Sequence, residues 1–168
     1  MKPKTMQDLF EHLLHKAYDC EQKLVKKGLP RMVDAASTPE LRSALQQHLQ
    51  ETQSHVRRVE QVFSIVGKDP NTEKAKILDE MTDEADDVIS DIDASPLRDA
   101  ALIVGGNQVE HYEMALYGSL VSFAQQLGFS QAATLLQQTL NEEKAADAKL
   151  TEIAEQFVNT RASQLRAA

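Results

Sequence analysis

Tryptophan is absent from this 168-residue chain, aromatic residues make up only 5% of it, and cysteine occurs once, as Cys20. A lone thiol cannot close an internal disulfide, so the fold has no covalent staple, and this usage fits a reducing compartment. Five prolines and six glycines leave few interruptions, which argues against a fold of many short strands joined by tight turns. The longest apolar run, Ala100-Ala101-Leu102-Ile103-Val104, is far short of the ~20 residues that span a bilayer. The N-terminus reaches Asp8 and Glu11 without an apolar signal-peptide core. A cytoplasmic protein without membrane attachment is expected. Basic side chains are also in the minority: 18 against 26 acidic, for a net charge of −8. That balance argues against a nucleic-acid partner.

What the chain does contain is 42% hydrophobic and 26% charged residues, the composition of an ordinary globular domain. Ala, Leu, Gln, Glu and Lys dominate, and they are helix formers. A single all-α domain over 1–168 is expected, with its core at about 5–160. The first helix starts after Thr5, with Asp8 placed for a cap. Its apolar stripe reads Phe10, Leu14, Ala17, Glu21, Leu24 and Gly28, and Pro30 kinks or ends it. Thr38-Pro39 opens a second helix to about Val66, with the stripe Leu41, Ala44, His48, Glu51, His55, Val59, Val62 and Val66. An acidic stretch, about 72–93, reads as a shorter crossover helix through Ile77, Met81, Ala85, Val88 and Ile92. Ser95-Pro96 opens a third long helix carrying Leu102, Ile103, Gly106, Glu110, Met114, Tyr117, Val121 and Ala124, and Gly128-Phe129-Ser130 turns the chain. The fourth stripe, Ala133, Leu136, Leu140, Glu143, Asp147, Leu150, Ala154 and Phe157, alternates steps of three and four, as a bundle seam does. The polar segment 161–168 is expected to fray.

These helices make two antiparallel hairpins joined by a long connection: a four-helix bundle. In such a hairpin, residues equidistant from the turn lie side by side. The midpoint between Glu21 and Glu51 is Ala36, and that between Glu110 and Glu143 falls at Gln126-Leu127. Each hairpin therefore pairs two glutamates that interrupt apolar stripes, where an uncompensated charge is expensive. Four inward glutamates at one level point to a two-metal carboxylate site. Glu113 lies one turn from Glu110, and Asp147 one turn from Glu143. His48 and His55 flank Glu51 at steps of three and four. Oxygen and imidazole donors suit iron, manganese or zinc.

The competing reading makes them surface glutamates on Glu-rich helices, and it is accepted for Glu40, Glu60, Glu73, Glu80, Glu142, Glu152 and Glu155. His48 and His55 equally fit as packed or hydrogen-bonded core histidines. His12 and His15 read as solvated, His111 as flanking the site, and Tyr18, Tyr112 and Tyr117 as core or rim. The acidic run from Asp79 to Asp93 lacks the glycine and ligand spacing of a calcium loop. Cys20 has no arrangement around it that would make it a nucleophile. Gly105-Gly106 inside a helix implies close approach by another helix, or a bulge, since each glycine costs about 1 kcal/mol against alanine.

The segments Thr5-Met6-Gln7-Asp8-Leu9-Phe10, His48-Leu49-Gln50-Glu51-Thr52, Arg98-Asp99-Ala100-Ala101-Leu102-Ile103, Val109-Glu110-His111-Tyr112-Glu113 and Asn141-Glu142-Glu143-Lys144 resemble the bacterial YciF/YciE stress-protein family, from about Lys4 to Ala154. The resemblance implies a ferritin-like four-helix bundle with an added crossover helix, and a homodimer. Rubrerythrins, in the wider ferritin-like group, are similar in carrying Glu-x-x-Glu on the third core helix, matching Glu110 and Glu113. Their Glu-x-x-His on the second and fourth helices is not matched, because Ser54 and Ala146 stand at the histidine positions. No C-x-x-C pair supplies a rubredoxin-like electron-transfer module. The implied function is a stress-associated protein holding two metal ions, iron or alternatively manganese, with oxidase or peroxide-reducing activity on dioxygen or peroxide. The alternative is a non-catalytic, partner-binding helical bundle with a vestigial site.

Overall fold

The computed structural model describes residues 2–165, and among them the only regular elements are helices. Helix α1, Met6–Lys23, opens on a capping box: the Thr5 hydroxyl accepts from the Asp8 amide, and the Asp8 carboxylate accepts from the Thr5 amide. A π-helical turn, Leu24–Gly28, leads directly into α2, Leu29–Ala35. The slip falls just before Pro30, which has no N–H to give to the preceding turn. Helix α3 is Pro39–Ile65, ended by Gly67 at φ 68, a conformation that favours glycine. Helix α4, Lys76–Asp91, lies within the expected 72–93 segment. Helix α5, Pro96–Gln126, is capped by the Ser95 hydroxyl. After Gly128 at φ 79, α6 runs Ser130–Ile153 and passes through a second π turn, Ala154–Val158, into α7, Asn159–Ser163. Part of the segment expected to fray is therefore helical, and 166–168 lie outside the described residues.

Helix α1 packs on α3 and α5, and α6 packs on the same two helices. Helix α4 lies along α5 and is tied to the α1–α2 rod by Lys23–Asp79, Lys27–Asp86 and Arg31–Asp86 pairs. No helix among the described residues is long and apolar enough to cross a membrane.

The turn between α2 and α3 departs from expectation. Thr38 stands at the N-cap of α3, but its side chain makes no capping bond. The fully buried Asp99 of α5 instead accepts from the backbone amides of Ser37, at 2.8 Å, and Thr38, at 2.7 Å. Arg98 donates to the Ala35 carbonyl beside it, so α5 holds the first hairpin's turn in place.

The interior falls into two apolar clusters. One contains Phe10, Leu14, Val59, Phe63, Leu120 and Leu136; the other contains Leu24, Leu41, Leu45, Leu102, Leu150 and Ile153. Along every long helix the residues between these clusters are polar and buried: Glu21 on α1, His48, Thr52 and His55 on α3, Glu110 and Glu113 on α5, and Glu143 on α6. This polar layer is the outstanding feature of the core.

Candidate metal centre

The seam of α3 sets which side chains enter the layer. Its buried positions run Leu41, Leu45, His48, Thr52, His55, Val59 and Val62 in alternating steps of four and three, with Phe63 buried next to the last. Thr52, not Glu51, is the seam residue between the histidines, and its hydroxyl bonds back to the His48 carbonyl at 2.8 Å. Glu51, about 100° around the helix from Thr52, is half-buried, accepts from Gln47 at 2.8 Å and lies 3.5 Å from His48 Nδ1. It does not enter either donor group described below.

Those groups have three members each. One donor atom from each of Glu21, His55 and Glu143 falls within 4.8 Å of the other two, and the same holds for His48, Glu110 and Glu143. Glu143 belongs to both. His55 Nδ1 lies 2.9 Å from Glu143 and 3.5 Å from Glu21, while His48 Nε2 lies 3.1 Å from Glu110 and 3.7 Å from Glu143. Glu113, buried beside them, accepts from the Cys20 thiol at 3.4 Å, and the Tyr117 hydroxyl donates to Glu21. The pairing of Glu110 with Glu143 across the second hairpin follows the midpoint expectation. In the first hairpin, Glu21 meets His55 rather than Glu51.

Asp147 is not brought into the layer. On α6 it follows Glu143 by one turn plus about 40°, which turns it to the α5 edge. There it accepts from Asn107 at 2.8 Å and lies 3.2 Å from the exposed His111. Glu142, read from sequence as a surface residue, accepts from Arg58 through both guanidinium nitrogens and lies 2.7 Å from His55 Nε2. Nothing in the sequence linked it to His55 or Arg58, which lie on another helix. Cys20 and Tyr117 carried one recoverable signal: they adjoin Glu21 or sit on the Glu110 stripe. Of the two glycines, Gly106 has the inferred close approach, since an added Cβ would lie 2.8 Å from Leu150 Cδ1; Gly105 has open space.

The electrostatics are those of an excess of buried acid. Glu21, Glu110, Glu113 and Glu143 are each 3% exposed or less. Burial, then the charges of Glu143, Glu21 and Glu110, raise the Glu113 carboxyl well above its usual range. Burial, with Glu21 and Glu110 behind it, pushes Glu143 up to about 7 against the pull of His55. Burial opposes charge on His55, but Glu143 and Glu21 overcome it and raise the imidazole to about 11. His48 is raised in the same way, with Glu110 and Glu51 outweighing burial. Burial also lifts the Cys20 thiol well above its usual value, so it is not a ready nucleophile. Both oxygens of Glu143 and one each of Glu21, Glu110 and Glu113 make no aligned hydrogen bond. Buried carboxylate oxygens converging with two imidazole nitrogens form groups that could hold a metal ion.

The comparisons with known proteins cover nearly the whole chain. The family model described as a domain of unknown function, DUF892, matches residues 5–163. The protein YciF of Escherichia coli strain K12 is 40% identical over 166 residues, spanning 96% of this chain and 98% of that one. The crystal structure of the E. coli stress protein YciF superposes with a TM-score of 0.89 over 94% of this chain and 99% of the other. The YcfI structure from Rhodopseudomonas palustris gives a TM-score of 0.85 at 38% identity, covering 88% and 94% of the two chains.

Proposed function

This chain belongs to the DUF892 family, and on that premise we propose that it is a stress-associated, ferritin-like protein whose four long helices, with α4 as crossover, hold two metal ions. The observation that carries this reading is the sharing of Glu143 between the two donor groups. Both buried oxygens of that carboxylate lack an aligned hydrogen bond, so Glu143 would be available to either ion. Glu21 and His55 would serve one ion, and His48 and Glu110 the other. Glu113 would add a carboxylate from the α5 side.

The donors are oxygen and nitrogen only, with the Cys20 thiol held protonated. They suit iron, and manganese in second place. Such a pair, when bound, supplies one-electron redox chemistry and Lewis acidity toward dioxygen or peroxide. The chain's own residues do the rest. Glu142 orients His55, Tyr117 fixes one oxygen of Glu21, and the apolar clusters close the layer above and below. Oxidase or peroxide-reducing activity is the function this arrangement fits best.

A second reading is favoured by Ser54 and Ala146, which stand where a rubrerythrin-like chain has histidines. In it, the chain is a metal-free stress or partner-binding bundle, and His48 and His55 are protonated counter-charges to the carboxylates. Titrating iron(II) into metal-stripped protein under anaerobic conditions separates the two. About two equivalents per chain are expected in wild type, and none in Glu143→Leu. Equal trace uptake by both proteins would favour the second reading.

A further inference from the structure

Between α3 and α6 the surface opens into a pocket of about 330 Å³ that ends at His48 and Glu110. Its size falls at the low end of small-molecule sites, ~300–1,000 Å³. The walls are Ala44 and Leu45 on one side and Ala145, Ala146 and Leu150 on the other. Alanine at three of these positions keeps the walls short there. Leu150 is seated in turn by Gly106, which leaves room for its methyl group. Polar groups are confined to the two ends. At the floor stand His48 and Glu110, 6% and 3% exposed. At the mouth stand Gln47, Glu51 and Lys149, whose ammonium is paired to Glu152 at 2.8 Å.

A route meant only for water, peroxide or a metal ion would be narrow and polar-lined. This one encloses about 330 Å³, and five of its lining residues are alanine or leucine. We propose that the pocket binds a compact organic molecule with an apolar body and a single hydroxyl or hydroperoxyl head, the head meeting Glu110 and His48. Burial of the body against the alanine walls supplies the affinity, and the floor's polar groups fix which end enters first. This deepens the reading of the site as a peroxide-handling centre and rests on it for the identity of the substrate: an alkyl or aryl hydroperoxide in place of hydrogen peroxide.

The test uses 1-hexanol as a stable stand-in, titrated into the full-length protein and followed by amide chemical shifts. The polar glycerol is the control. Saturable shifts confined to 44–48, 106–110 and 145–150 are expected with hexanol, and none with glycerol. Ala146→Phe and, from the facing wall, Ala44→Leu should each weaken binding about tenfold or more with the iron(II) stoichiometry unchanged. Two variants on different helices guard against misfolding of either one, and each is checked by its melting curve. Non-saturating shifts, shifts elsewhere, or binding unchanged in both folded variants would overturn the proposal. The iron titration on the same samples keeps the outcomes apart. Hexanol binding without metal uptake retains the pocket and removes the redox reading. Metal uptake without hexanol binding does the reverse.

Discussion

His55 turns its Nε2 to Glu142, 2.7 Å away, and its Nδ1 to Glu143, 2.9 Å away. With a cation bound, a carboxylate at Nε2 would keep the proton there and leave Nδ1 free to coordinate. Arg58 holds Glu142 in place from 2.9 and 3.2 Å and reaches Thr139 at 2.7 Å. His48 is arranged the other way round, with Nε2 inward to Glu110 and Nδ1 3.5 Å from Glu51. Glu142 is thus placed to orient His55, while Glu51 lies beside His48 without an aligned hydrogen bond.

Glu142→Ala is therefore expected to weaken metal binding about 10- to 100-fold while leaving the melting curve of the metal-free protein close to wild type. Glu142 is 38% exposed in its side chain, so its loss opens no cavity. Competition against a colorimetric chelator measures the affinity. An affinity equal to wild type would remove the orienting role.

The pH dependence of the metal-free protein has a defined sign. Between pH 5 and 8 the folded chain holds more protons than the unfolded one, because Glu143 is raised to about 7 and His55 to about 11. Stability then falls as pH rises. For Glu143 the contribution is present below pH 4.5 and is lost as the pH passes about 7, a change on the order of 3 kcal/mol. For His55 it is complete below pH 6.5 and is lost toward pH 11. Metal binding releases those protons, so the loaded protein should gain stability over the same window. Urea melts at pH 5 and pH 8, with chelator and with iron(II), should show slopes of opposite sign.

Helix existence and order were legible because the apolar periods are long and the breaks carry Pro, Gly or a cap; Thr5, Pro39, Ser95-Pro96 and Gly128 all mark real boundaries. Glu21, Glu110, Glu113 and Glu143 could be singled out because each interrupts or adjoins an apolar stripe. Face assignment was the weak point. On α3, Ala44 and Glu51 or Leu45 and Thr52 satisfy nearly the same spacing, and only packing against α6 chooses the second set. Asp147 was placed inward on a step of four, and the extra ~40° of that step turns it to the α5 edge. The partnership of Glu142 with His55 and Arg58 was out of reach, because it depends on how α3 and α6 meet.

Asp99 gives a prediction about the frame that positions the site. Its carboxylate serves two amides of the α2–α3 turn from full burial. Asp99→Ala would leave both without partners and is expected to cost about 3 kcal/mol. The α1–α3 register would loosen with it. A urea midpoint within error of wild type would show that water replaces the carboxylate at no cost.

Assembly is expected to stop at two chains, as the family resemblance implies and as two-fold symmetry makes common. Light scattering at micromolar concentration should report a dimer. A closed particle of 12 or 24 subunits would point instead to mineral storage.

Glu143→Leu separates a site kept for metal from one kept for stability. In the metal-free protein, Glu143 is a fully buried carboxylate among Glu21, Glu110 and Glu113, and its own burial already pushes its carboxyl to about 7. Leucine removes that repulsion and joins an apolar stripe that already holds Leu140 and Leu150. His55 is not stranded by the change, because Glu142 at 2.7 Å and Glu21 at 3.5 Å remain. The metal-free variant is therefore expected to be as stable as wild type or more so, while metal content falls to background. If Glu143 were instead the structural counter-charge of His55, its loss should destabilise by about 3–5 kcal/mol. Urea melts of both metal-free proteins, with elemental analysis of the loaded ones, decide the matter: clear destabilisation with no change in metal content would mean that the layer exists to hold the helices together.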